Sequence, residues 1–99
     1  MDIMTYIGVG KEAAITRSEL ARLTNLPDRK VREQIEAASR NGELIVNAGD
    51  GAGYYISDNI DELTRQYRMN ENRAMSILVQ QKFLRRRIKE LKEQEEKKC

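Results

Sequence analysis

The stretch TRSELARLTNLPDRKVREQIEAASR, residues 16–40, reads as two helices and the turn between them. Thr16-Arg17-Ser18-Glu19 has the spacing of a capping box, in which the Thr16 hydroxyl accepts from the Glu19 amide while the Glu19 carboxylate reaches back. Leu20, Ala21, Leu23 and Thr24 then set one face of a helix of about two turns. Asn25 tolerates the left-handed conformation that stops a helix and redirects the chain. Pro27 fits a helix start, where its missing N–H would be unpaired anyway, and Asp28 places a carboxylate beside the positive end of the dipole. The second helix is predicted to run to about Asn41, with Val31, Ile35 and Ala38 on its inner face and Gly42 as its stop.

Upstream, the apolar segment from Met1 to Ile7 predicts a short helix ended by Gly8 and Gly10, and Ala13-Ala14-Ile15 a single β-bridge strand. Downstream, Glu43–Ala48 and Gly53–Ser57 read as two strands around Gly49-Asp50-Gly51-Ala52. The glycines supply positive φ without strain, and β-branched and aromatic residues flank them. Tyr54 and Tyr55 alternate faces, which predicts one packed ring and one exposed to a partner or nucleic acid.

Beyond Ser57 there is no glycine or proline. Ser57-Asp58-Asn59 offers N-caps, and a helix from Asn59 to Glu95 would be roughly 55 Å long. Its weak point is Met69-Asn70-Glu71-Asn72, where helix propensity sags and a break is expected if anywhere. Ile60, Leu63, Tyr67, Asn70, Ala74, Ile77, Gln81, Leu84, Ile88, Leu91 and Glu95 recur at alternating spacings of three and four, a heptad stripe interrupted by Asn70 and Gln81. Met75, Leu78 and Phe83 widen it near the middle. So small a chain has little else to bury the stripe against, so Ile60, Leu63, Tyr67, Ala74, Ile77, Leu84, Ile88 and Leu91 are the candidate oligomerisation residues, in a homodimer or larger assembly. The alternative is that residues 73–91 fold back on the same chain's core. Lys82, Arg85, Arg86, Arg87, Lys89 and Lys92 form a basic strip, suited to phosphates or an acidic partner, or simply solvated. The organisation expected is thus one small domain over 1–57 and an amphipathic helix over 58–99.

Composition narrows the function. The chain has 99 residues, no histidine and one cysteine, Cys99, which has nothing within the chain to bridge to. With no phosphate loop, metal-ligand cluster or acidic calcium loop, no enzymatic activity, cofactor, metal or small-molecule substrate is expected. With no long apolar run and no signal peptide, no membrane partner is expected and the cytoplasm is the default. The net charge of +2 divides into −1 up to Ser57 and +3 beyond it, which weighs against strong nonspecific DNA affinity.

The order of two helices, turn and hairpin resembles the winged helix-turn-helix superfamily. ITRSELARLTNLPDRKVREQIEAASRNGELIV, residues 15–46, looks like small winged-helix proteins of phage and bacterial replication or regulation regions, and the resemblance spans roughly residues 11–57. It implies a mainly α fold with a small β-hairpin, double-stranded DNA as partner, and a first helix that braces the second as it meets base edges. With Val31, Ile35 and Ala38 inside, Arg29, Glu33, Glu36 and Arg40 turn outward and Lys30 and Arg32 lie on the flanks. Candidate DNA contacts are therefore Arg29, Lys30 and Arg32, with Glu33 or Gln34 against a base and Arg17 from the preceding helix. The plainer alternative is a solvated face closed by Arg29–Glu33 and Arg32–Glu36 pairs. A basic wing tip, which the resemblance also implies, is missing: the tip holds Asp50 and no lysine or arginine, so the wing is expected to be structural. The competing function is a protein-interaction adaptor working through the C-terminal helix. A DNA-binding chain would be nucleoid-associated when bound.

Overall fold

A computed structural model describes residues 2–97, so Met1, Lys98 and the thiol of Cys99 lie outside the described residues. The fold is mainly helical, with a two-stranded antiparallel hairpin and a long C-terminal helix. Two 3₁₀ turns, Ile3–Thr5 and Lys11–Ala13, precede α1 (Arg17–Thr24), α2 (Asp28–Arg40), β1 (Ile45–Asn47), β2 (Tyr54–Ile56) and α3 (Ile60–Lys97). The chain divides into two compact units, the first ending at Gln66 and the second starting at Tyr67.

Local chemistry accounts for the boundaries. Thr16 Oγ1 accepts from the Glu19 amide at 3.1 Å, but the Glu19 carboxylate turns to Arg22 at 2.8 Å, so only half of the capping box forms. Asn25 ends α1 in the left-handed region at φ 57° and its amide bonds back to the Ala21 carbonyl. Pro27 is the N-cap of α2 and Asp28 its first residue. The expected N-terminal helix is only a 3₁₀ turn, capped by the Asp2 carboxylate on the Met4 amide at 3.0 Å, yet Ile3 and Ile7 are both buried. Ala13 belongs to the second 3₁₀ turn, and only Ile15 of the expected Ala13–Ile15 strand makes a bridge.

The hairpin pairs Ile45 with Ile56, Val46 with Tyr55 and Asn47 with Tyr54. The outer edge of β2 is covered by the chain's own start, through an antiparallel bridge Ile15–Tyr54 and a parallel bridge Val9–Ile56. Gly53 lies where this edge closes: at φ 106°, any side chain there would run into the Ile15 carbonyl. Because side chains alternate along a strand, the hairpin feeds two cores. Ile45 joins Ile3, Ile7, Leu20, Val31 and Ile35 in one, with Tyr54 and Ile56 packed at its margin. Val46 and Tyr55 join Ala48 in the other, under Ala14, Ala52 and Leu63. Both tyrosines are therefore packed, Tyr55 fully and Tyr54 by half, and the expected exposed ring is absent because both sheet faces are covered. Leu23, placed on the apolar face of α1 by its spacing, is 40% exposed, which leaves Leu20 and Ala21 to anchor that helix.

The first turns of α3 belong to the N-terminal unit, so the division falls inside the helix rather than at residues 57/58. Leu63, read as an oligomerisation residue, instead packs on the Val46–Ala48–Tyr55 core. Asn59 caps α3 by accepting from the Asp61 and Glu62 amides at 2.9 and 3.1 Å. The helix continues through Met69–Asn72 without a break. Asparagine costs only about 0.5–0.7 kcal/mol against alanine in a helix, whereas proline costs about 3. Among the described residues, no helix is long and apolar enough to cross a membrane.

Candidate nucleic-acid interface

The buried side of α2, Val31 and Ile35, fixes its rotation, and the turn through Asn25 brings the first turn of α2 beside the start of α1. At that junction Asp28 is the organising residue. Its Oδ1 accepts from Arg17 Nε at 2.6 Å and its Oδ2 faces Arg32 Nε at 3.4 Å. Asp28, and after it the hydroxyl of Tyr54, hold the Arg17 guanidinium above its ordinary pKa. Arg17 is thus tied back to α2 from the first residue of α1.

One turn further, Glu33 lies 3.4 Å from Lys30 Nζ and 3.9 Å from Arg29 Nε. Four of the candidate contacts, Arg17, Arg29, Lys30 and Arg32, are therefore gathered on two carboxylates. The expected Arg32–Glu36 pair is replaced by Arg32–Asp28, the other neighbour four positions away. All these groups remain substantially exposed, Arg29 most of all with 76% of its side chain in water. Exposed pairs of this kind are worth about 0–1 kcal/mol each, so a phosphate can displace the carboxylates at small cost.

Gln34 does not join this face. It is half-buried and lines a depression of about 340 Å³ with Asp2, Ile3, Met4, Ala37 and Asn41. The i+3 step from Val31 turns it toward the core side of α2, so of the two base-contact candidates only Glu33 is placed among the cations.

The hairpin tip is acidic and closed upon itself. Asp50 accepts from the Ala52 amide at 3.0 Å and pairs with Lys11 at 3.0 Å. Lys11 and then the Ala52 amide lower the Asp50 pKa. Behind the tip, Arg65 donates to the carbonyls of Ala48 and Asn47 at 3.0 and 2.8 Å, and the Gln66 side chain accepts from the Asn47 amide at 2.9 Å. Reading the sequence missed this docking of α3. The partners are 17 to 19 residues apart, and no local spacing signals them.

Comparisons of this chain with protein-family models, with curated proteins and with solved structures give no match.

Proposed function

We propose that this chain is a winged-helix protein that binds double-stranded DNA selectively and without enzymatic activity. Its role would be transcriptional regulation or accessory work in phage or plasmid replication, and it would act as a homodimer or larger oligomer through α3. The reading carries with it a cytoplasmic location, on the nucleoid when DNA-bound. One observation carries it: α2 follows a left-handed turn, buries Val31 and Ile35, and turns Arg29, Lys30 and Arg32 outward at its N-terminal end beside Arg17. That end of a second helix is the part a helix-turn-helix offers to base edges. Arginine suits guanine through two parallel hydrogen bonds, while Lys30 suits phosphate.

The test is a gel shift with duplex DNA across a salt series. A salt-sensitive complex is expected, weakened about 10-fold or more by the double change Arg29→Ala/Lys30→Ala. Binding that survives the double change intact removes α2 as the reading helix. The competing adaptor reading is favoured by the carboxylates Asp28 and Glu33 among the cations and by the neutralised tip at Asp50. An adaptor would not retard random duplex even at low salt.

A further inference from the structure

On α2 every outward candidate cation has a carboxylate within reach, but on the C-terminal half of α3 the balance reverses. Between residues 82 and 92 the chain carries Lys82, Arg85, Arg86, Arg87, Lys89 and Lys92 against a single acid, Glu90, and the other acids of this half of the helix, Glu93, Glu95 and Glu96, follow only beyond Lys92. Arg87 is taken by Glu90 at 3.1 Å. The other five make no ion pair among the described residues.

Their placement is regular. At about 100° per residue, Lys82, Arg85, Arg86, Lys89 and Lys92 fall within an arc of about 120°, while Arg87 points elsewhere. Ile77, Leu84, Ile88 and Leu91 occupy the adjoining arc, so the basic face and the apolar seam lie side by side on the helix without overlapping. The cations are not part of this seam, so closing it does not by itself bury them. Lys82–Arg86 and Arg85–Lys89 are like charges four apart, and Lys82–Arg85, Arg86–Lys89 and Lys89–Lys92 are three apart, spacings at which such charges repel and weaken a bare helix. A polyanion relieves every one of these repulsions together.

We propose that this face of α3 is a second DNA-contact surface, one that neutralises backbone phosphates while α2 reads bases. The five cations run from Lys82 to Lys92, about 15 Å along the helix, and a duplex carries one negative charge per about 1.7 Å of its axis. Within the arc between Lys82 and Lys92 nothing but charge is presented: no amide, hydroxyl or aromatic group stands among the cations to select a particular partner. Such a surface holds and positions without reading sequence, which is what phosphate contacts do. It also answers the weak charge of the N-terminal unit, because the free positive charge is carried elsewhere in the chain. The inference rests on the DNA-binding reading above.

The experiment measures fluorescence anisotropy of a labelled random duplex of about 30 base pairs over about 50–200 mM salt. The full chain is compared with Lys82→Gln/Arg85→Gln/Arg86→Gln/Lys89→Gln/Lys92→Gln and with the milder Arg85→Gln/Lys89→Gln. Glutamine has nearly the helix propensity of lysine and arginine, and circular dichroism and sedimentation verify that helix and assembly persist. Should the fivefold variant lose either, the double variant carries the test. The slope of log K against log salt is expected to fall, for each chain in contact with the duplex, by about 3 to 4 in the fivefold variant and by about 1 to 1.8 in the double one, from a ceiling of about 0.9 per phosphate. Wild-type binding with an unchanged slope in the variants overturns this inference and leaves the reading of α2 standing. A wild-type chain that binds no duplex overturns both. Equal or tighter binding of labelled poly-glutamate, dependent on the same five cations, assigns the face to an acidic protein and overturns the phosphate assignment.

Discussion

Asn25 is the one described non-glycine residue with positive φ, and both helices of the candidate interface take their relation from it. Its φ of 57° and ψ of 33° lie in the region that costs an ordinary L-residue about 1–2 kcal/mol and asparagine less. The conformation turns the Asn25 amide onto the Ala21 carbonyl and starts the return toward Leu26, which packs on the main core. Asn25→Ala should lower the unfolding free energy by about 1 kcal/mol, whereas Asn25→Gly should leave it within about 0.5 kcal/mol of the wild type. Urea denaturation with unchanged m-values checks this. Equal losses for both would mean that the asparagine side chain, not the backbone angle, holds the turn.

Among the elements, α3 has two distinct stretches. Its first turns complete the N-terminal core: Leu63 covers Val46, Ala48 and Tyr55, and Glu62 accepts from the buried Ser57 hydroxyl at 2.7 Å. Ser57, and next Tyr55, hold the Glu62 carboxyl below its ordinary 4.5, while burial and then Glu62 push the Tyr55 phenol up. A carboxyl with a depressed folded pKa binds fewer protons in the folded state, so its stabilisation is present above the unfolded value and is lost as pH falls through the folded one. Thermal unfolding should therefore grow less stable below about pH 4.5, and Glu62→Gln should flatten that decline while lowering stability at pH 7. A variant whose melting temperature falls with acid as steeply as the wild type's would remove Glu62 as the titrating group.

At the scale of the whole molecule, the unit from Tyr67 onward has no core of its own, and its described residues are exposed. Ile77, Leu84, Ile88 and Leu91 form one apolar line; Met75 and Phe83 do not widen it as their nearness in sequence suggested, but with Val79, each four apart, form a second on the far side of the continuous helix. A helix apolar on several sides calls for neighbours on several sides. We expect sedimentation equilibrium to give a mass above that of two chains, because a single pair closed along the first line leaves the second in water. Leu84→Asp should raise the dissociation constant of the assembly at least about 100-fold by setting a carboxylate in the seam. A monomeric wild type would remove self-association from the proposed function, and an intact assembly in Leu84→Asp would move its seam elsewhere.

The Thr16 cap, the Asn25 turn, the Pro27 start and the glycine-rich bend of the hairpin were legible from residue order alone. Each is set by backbone sterics and hydrogen bonds within a few positions. So was the outward side of α2, because burial of Val31 and Ile35 leaves one direction for Arg29 and Glu33. Periodicity also marked Leu63 as an interacting residue and set Tyr54 and Tyr55 on opposite faces, but it could not say which surface each would meet. Folding set Leu63 against the hairpin and Tyr54 at the margin of the main core. It likewise bound Arg17 to Asp28 across 11 positions and Arg65 to the Ala48 carbonyl across 17. A spacing rule sees only residues that share a turn or a strand, whereas these contacts exist because separate elements were brought together by the cores between them.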